Sequence, residues 1–368
     1  MKNNYSDDKR IVIAGGGPAG IATAISLAKR GILSTILETN KNPAEKPGDT
    51  IEPIALPVLK VLGVDHLLKD AAHTACYGNN YSWESEVAEV KDFFYSRWGH
   101  GWHLHRNYFE KELLSIAKQL GVTVSYCRIK KVEQCAQTDN WQLQTVNDGI
   151  DKILNAHFVV DATGRNALIA RSAGVRRIQY DNLVGIVARF SIDATAPILQ
   201  YTYLQAVENG WWSATALRGN IVVTTYMTDA NLITTAMQKS SGYRQLLQQS
   251  PLVYSLFPEN FIPAAEYIYT RSASTSRLST IWGQNWLSVG DAAYTFDPIS
   301  SYGIISALGS GYYAGNAIAD HLEGADEALP AYQYLTEKAF DHYLHLWKQQ
   351  YALQQRWPES LFWKKRNG

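Results

Sequence analysis

Three consecutive glycines behind a short apolar run, in Arg10-Ile-Val-Ile-Ala-Gly-Gly-Gly-Pro-Ala-Gly20, constrain this chain more than any other feature. Ile11 to Ala14 reads as a buried parallel strand. Pro18 to Arg30 sets Ile21, Ala24, Ile25 and Ala28 on one helical face before Gly31 stops it. Ser34 to Glu38 reads as a second strand, closing a strand, turn, helix and strand unit of about 30 residues. In such a unit Gly15 permits the tight turn, Gly17 lets a pyrophosphate approach the backbone, and Gly20 lets helix and strand pack closely. The helix start offers unpaired N–H groups and partial positive charge to phosphates. Glu38, 18 positions after Gly20, can accept hydrogen bonds from a ribose diol, and an acid there disfavours a 2′-phosphate. The unit points to a bound dinucleotide.

Further along, Arg106 to Leu120 is helix-periodic through Phe109, Leu113, Ile116 and Leu120, with Gly121 as the stop. Val122–Tyr126, Val132–Cys135, Trp141–Val146 and His157–Asp161 read as strands. From about Asp181 to Ser272 the texture changes to strands rich in Val, Ile, Thr, Tyr and Trp, interrupted by a helix-like stretch from Asn231 to Gln249. Trp286–Gly290 returns to the pattern of buried strand then glycine. Gly303–Leu322 and Asp326–Tyr351 read as long helices, with Asp326 as a candidate cap of the second. The expected architecture is α/β. A discontinuous Rossmann-like domain (1–75, 101–180 and 273–325) carries a second, mainly antiparallel β-sheet domain (76–100 and 181–272), and a helical segment (326–368) ends the chain.

Lys plus Arg and Asp plus Glu number 34 each, so nothing in the charge favours a nucleic-acid partner. No run of about 18 apolar residues suggests a membrane span, and the apolar run after Arg10 is too short for a signal peptide. Cys76, Cys127 and Cys135 form no C-x-x-C pair, which fits free thiols and makes the cytoplasm the expected compartment. The basic run Lys364-Lys365-Arg366 reads as a solvated end. His103 and His105 share a face if they lie on a strand, with His100 nearby, but no further ligands are spaced for a metal, so none is expected.

Two later motifs decide which dinucleotide. Asp161-Ala-Thr-Gly-Arg165 follows one buried strand, and Ser288-Val-Gly-Asp-Ala-Ala293 follows another before Phe296-Asp-Pro-Ile-Ser-Ser-Tyr-Gly-Ile304. With these three motifs in order, most of the chain resembles the flavoprotein monooxygenase superfamily, the p-hydroxybenzoate hydroxylase class that also contains flavin halogenases and geranylgeranyl reductases. The resemblance implies FAD. It implies that Gly15, Gly17, Pro18, Ala19, Gly20 and Glu38 hold the adenosine half, that Asp291 binds the ribityl chain, and that Gly164 and Arg106 touch the cofactor. Pro298 would lie against the isoalloxazine, and Gly303 and Ile304 would open a helix pointing at its pyrimidine end. Lys46, in Glu45-Lys-Pro-Gly-Asp49, matches a loop that crosses near the flavin, and equally fits a solvated lysine in a turn.

No second G-x-G-x-x-G with a following acid occurs, so the electrons are expected from an external donor. Gly309-x-Gly311-x-x-x-Gly315 has the wrong spacing, and close helix packing explains it. Flavin halogenases carry Trp-x-Trp-x-Ile-Pro and a relay lysine. Here Gly210-Trp-Trp-Ser-Ala-Thr-Ala216 breaks the first, and Ala75–Trp83 holds no lysine. Gly210-Trp-Trp-Ser-Ala, Tyr226-Met-Thr-Asp229 and Arg356-Trp-Pro-Glu-Ser-Leu-Phe-Trp363 resemble the flavoprotein maturases that build cysteine tryptophylquinone in amino-acid oxidases. That resemblance implies O2 and a precursor oxidase as partners, with a protein-bound tryptophan as the group hydroxylated. Hydroxylation or halogenation of a small aromatic metabolite, and a non-catalytic flavoprotein chaperone, are the competing readings. No catalytic side chain is assigned. Trp211, Trp212 and Tyr302 fit a substrate cavity or core packing equally well.

Overall fold

The computed structural model describes residues 10–41, 46, 50–135, 137–192, 200–258, 265 and 267–367. Its first layer is a six-stranded sheet in the order Trp282–Gly283, Trp286–Ser288, Phe158–Asp161, Ile11–Ala14, Ser34–Glu38 and Thr123–Tyr126. All neighbours run parallel except the first pair. Strands buried on both faces must be apolar throughout, and every residue of Ile11–Ala14 and Phe158–Asp161 is buried. The helix Pro18–Lys29 covers this sheet and packs on the 20-residue helix Gly303–Leu322. A Cβ on Gly311 would stand 2.4 Å from the Ala19 carbonyl, and one on Gly315 2.4 Å from the Ser26 Cβ. Two of the four glycines in that helix therefore serve close packing, while Gly303 and Gly309 face open space.

The second layer is a seven-stranded sheet ordered Tyr267–Ser272, Leu183–Ser191, Ile221–Asp229, Gly210–Leu217, Tyr201–Val207, Gly78–Ser82 and Glu89–Asp92. It is antiparallel except where Gly78–Ser82 runs parallel to Tyr201–Val207. One face packs Trp212 and Tyr226 against Tyr243 of the helix Ser240–Gln248. The other face carries Thr202, Leu204, Ala206 and Trp211, and looks towards the first layer. There Thr50 Oγ1 lies 3.0 Å from Thr202 Oγ1, and Ala206 and Trp211 share a core with Ile299 and Tyr351.

Four local expectations are corrected. Asn231–Gln249 is not one helix; turns at Ala230–Leu232 and Ala236–Gln238 precede a helix that starts at Ser240. The strand Ile150–Ala156, not anticipated, joins an antiparallel meander with Trp141–Asn147 and Arg128–Gln134; its residues are mostly exposed and show no apolar–polar alternation. Asp326 does not cap the last long helix, which runs Ala328–Ala352 behind Glu327. The basic run is a solvated end only in part: Lys364 and Lys365 are exposed, and Arg366 is not. The run lies in the helix Leu361–Asn367, where Arg366 is buried and paired to the buried Asp229 at 2.7 Å, with Lys365 at 3.1 Å from the same carboxylate. Among the described residues, no helix is long and apolar enough to cross a membrane.

Candidate functional site

The glycine turn is built as the spacing requires. Gly15 sits at φ +117°, a conformation L side chains avoid, and a Cβ there would lie 2.2 Å from the Ala162 carbonyl. A Cβ on Gly20 would lie 2.1 Å from the Gly15 carbonyl, so that residue brings helix and turn together. Gly17 differs: no heavy atom lies within 4 Å of its built Cβ. Steric need inside the protein explains Gly15 and Gly20 but not Gly17, whose bare backbone leaves room for a phosphate group. Pro18 and Ala19 open the helix, whose Gly17 cap makes no side-chain hydrogen bond. The Glu38 carboxylate bridges the turn, accepting from the Gly16 N–H at 2.8 Å and the Asn40 N–H at 2.9 Å. Each oxygen retains capacity for a hydroxyl donor.

Around this turn the remaining candidates assemble. Ala19 contacts the second glycine motif, since a Cβ on Gly290 would meet its Cβ at 2.7 Å. Asp291 follows, with Arg165 Nε 3.6 Å from its carboxylate, while Arg177 donates to the carbonyls of Asp291 and Ala292 at 3.2 and 2.7 Å. Gly164 lies in the neighbouring turn at φ +67°. Its motif partner Asp161 is wholly buried and accepts from the N–H groups of Thr163, Ile169 and Ala170 and the Thr163 hydroxyl. Asp161 therefore fixes the turn that presents Arg165.

Arg106 opens the helix Arg106–Gln119, capped by His105, whose ring nitrogen accepts from the Tyr108 N–H at 3.3 Å. One turn on, the buried Glu110 accepts from Arg106 at 2.5 Å and pairs with Lys46. Burial pushes the Glu110 carboxyl up, but the Arg106 and Lys46 cations outweigh it and hold the group below its usual range. Of the segment Glu45–Asp49 only Lys46 lies within the described residues. Its ion pair to a buried acid replaces the reading of a lone solvated lysine. Glu110 escaped the sequence reading, although its spacing of four from Arg106 on a helix was a usable signal.

The third motif forms the far wall. Asp297 caps the turn Pro298–Ser300 through the Ile299 N–H, and Ser301 takes a left-handed conformation before Gly303 starts its helix. No side chain caps that helix, and no heavy atom lies within 4 Å of a Cβ built on Gly303. The first N–H groups of Gly303 and Ile304 thus form an open, positively polarised end suited to an electron-rich ring edge. Asp297 is fully buried and its other oxygen accepts from Trp347 Nε1 at 2.9 Å and the Tyr351 hydroxyl at 2.8 Å. These partners were not legible, because they arrive from the helix Ala328–Ala352.

On the second sheet, the face whose Ala206 and Trp211 share a core with Ile299 of this loop also carries Thr202. Its cross-strand neighbours are Thr215, then Ser213 beside Leu204, then Thr225 and Val187, a floor of small and hydroxylated side chains. Trp211 lies at the end of this same face and Trp212 on the opposite one. Both are buried, Trp211 donating to Tyr351 at 2.9 Å and Trp212 packing on the far face. Tyr302 is half-buried at the cap of the Gly303 helix. The three histidines diverge: His103 is buried with Nδ1 3.0 Å from Thr50 Oγ1, and burial drives its pKa down to about 4, while His105 caps a helix and His100 faces the Gly101 carbonyl. Among the described residues no His, Cys, Asp and Glu group is arranged for a metal.

A family model described as FAD binding domain matches residues 8–338. The FAD-dependent oxidoreductase LodB of Marinomonas mediterranea is 26% identical over 365 residues, spanning 97% of this chain and 96% of that protein. Among solved structures, the flavin-dependent halogenase CmlS superposes with a TM-score of 0.86 at 23% identity, covering 98% of this chain and 67% of that one. QhpG, described as a peptidyl tryptophan dihydroxylase essential for tryptophylquinone cofactor biogenesis, superposes at 0.81 with 24% identity, covering 98% and 79%.

Proposed function

Because the chain belongs to the FAD binding domain family, we propose that it is an FAD-dependent monooxygenase that hydroxylates a tryptophan of a partner protein, the precursor of a quinone-bearing amino-acid oxidase. The observation that carries hydroxylation over halogenation is the composition of the second sheet. Its only lysine among the described residues is Lys91, exposed on the edge strand, so the floor offers no ammonium to relay a halogen. Likeness to QhpG supports a protein-bound tryptophan; likeness to halogenases of carrier-bound pyrrole and of tryptophan supports the second reading, halogenation of a small or carried aromatic.

The residues present fit FAD. Glu38 would accept the ribose hydroxyls, the open backbone at Gly17 and the helix start behind Pro18 and Ala19 would take the pyrophosphate, and Asp291 would accept from the ribityl chain. Arg106 and Lys46, aimed by Glu110, and Arg165, aimed by the Gly164 turn, would supply positive charge along the cofactor. Bound and reduced, FAD would supply the activation of O2, one oxygen atom going to the substrate and the other to water. The chain's own part is positioning and exclusion. Pro298 would set the plane of the ring, Gly303 and Ile304 would polarise its edge, and the Thr202, Ser213 and Thr225 floor would seat the indole away from solvent. An external donor would supply the two electrons. The cytoplasm is the proposed site of this work.

The test is mass spectrometry of the precursor oxidase produced with and without this protein, in chloride and in bromide. Added oxygen on a tryptophan, independent of halide, is the expected result. Identical oxygen content in the two preparations would overturn the maturase reading, and a halide-dependent mass gain would establish the second one.

A further inference from the structure

The core that joins the last two helices to the Asp297 loop holds Trp83, Trp211, Trp347, Tyr351, Trp357 and Trp363, five of the chain's 11 tryptophans around one tyrosine. From the surface inwards, the half-exposed Trp357 stacks on Trp363 at 6.3 Å between centroids, and Trp363 lies 5.8 Å from Tyr351. The Tyr351 hydroxyl accepts from Trp211 Nε1 and donates to Asp297, which immediately precedes Pro298. Packing alone would not ask for this arrangement, because phenylalanine fills the same volume without burying a hydroxyl and a carboxylate together.

Two guanidinium groups sort the rings. Arg356 lies over Trp357 at 4.2 Å and Arg366 over Tyr351 at 5.2 Å. A cation over a ring opposes loss of an electron while the ring keeps the positive charge. Tyr351 alone can shed that charge, because its phenolic proton has an acceptor 2.8 Å away.

We infer that Trp357, Trp363 and Tyr351 form a one-electron relay between the protein surface and the Asp297–Tyr302 loop, with Asp297 as the proton acceptor. In the balanced step, an oxidant of the peroxide or oxygen-radical class at the loop takes one electron from Tyr351, and the O–H bond breaks as its proton passes to the Asp297 carboxylate. One electron then returns through Trp363 and Trp357 from a small thiol at the surface, and the proton returns from Asp297 to the phenoxyl oxygen. The thiol leaves as a thiyl radical with its proton released to water. The loop's role as the source of oxidant rests on the proposed flavin site; conduction from Trp357 to Tyr351 does not.

Pulse radiolysis of the FAD-loaded protein, with azidyl radical as the surface oxidant, separates the two. Decay of the indolyl band should feed a rise of the phenoxyl band at a rate independent of protein concentration. Tyr351→Phe should remove most of that rise, and Trp357→Phe, at a half-exposed site where folding is safe, should slow it. A rise of wild-type rate and size in both variants, or one whose rate scales with protein concentration, overturns the relay. Protein that conducts but binds no FAD would sink the proposed function and leave conduction standing.

Discussion

The glycine turn and the Asp297 loop both belong to the candidate site but are held by opposite means. The turn is made of backbone: its geometry follows from missing Cβ atoms at Gly15 and Gly20 and from N–H groups that Glu38 ties down. The loop is made of side chains from far away, with Asp297 gripped by Trp347 and Tyr351 some 50 residues later in sequence. A backbone device tolerates no side chain at its contacts yet needs no partner. A side-chain device depends on the whole C-terminal segment staying docked.

The largest effect should come from separating the steric glycines from the binding one. Gly15→Ala forces a side chain into a left-handed position and onto the Ala162 carbonyl, so stability should fall by about 3 kcal/mol or more, seen as a lost or lowered thermal midpoint. The Cβ of Gly17→Val meets nothing in the protein; the variant should fold with a near wild-type midpoint yet purify colourless. A yellow, fully loaded Gly17→Val protein would remove the pyrophosphate from this turn.

The side-chain half should break next at its anchor. Arg366→Met leaves the buried Asp229 with only the partly exposed Lys365, and loss of one partner of a buried pair costs about 3–5 kcal/mol. Urea titration of the apoprotein checks this. If the C-terminal segment is the clamp on the Asp297 loop, the same variant should also bind FAD more weakly, whereas unchanged FAD affinity would make the two halves independent.

A smaller, pH-dependent effect distinguishes the carboxylates. Burial, with Asp181 nearby, pushes Asp297 up to about 6 from its ordinary 3.8, despite hydrogen bonds from Ile299, Trp347 and Tyr351. Between those values the native state holds a proton that the unfolded chain has released, so stability falls as pH rises. The contribution is complete below the lower value, gone above the upper one, and about 3 kcal/mol in size. Asp297→Asn should flatten that part of the stability profile between pH 4 and 6; a parallel profile would place the titration elsewhere.

The same contrast explains what the sequence made legible. Backbone devices announce themselves locally, through glycine spacing, flanking apolar runs and an acid at the end of a strand, so the glycine turn, Glu38 and the Gly303 helix start could be located in advance. Arg177 and Tyr351 carry no such local mark, because a lone charged or aromatic residue acquires meaning only from what it meets. Arg366 misled for that reason: a short basic run is ordinarily solvated, and only Asp229 on a strand 137 residues away makes it an anchor. Trp211 and Trp212 were undecidable from sequence, since alternation assigns adjacent residues to opposite faces without saying which face is covered.

Glu110 tests whether the two styles of construction meet. It is a side-chain device in the backbone-built half, pairing Arg106 and Lys46 from two separate segments. Glu110→Gln keeps the shape and can still accept from one cation, but it removes the charge that aims both. A hydrogen bond to a charged group is worth about 1.5–3 kcal/mol, part of which the amide retains, so FAD affinity should drop about tenfold with little change in fold. Fluorescence titration with FAD at two salt concentrations measures it. If Glu110 orients the cations, the loss persists at high salt, because geometry and not long-range attraction has been lost. Tighter binding at low salt would mean that Glu110 competes with the cofactor for Arg106 and Lys46, and that the glycine turn alone sets the affinity.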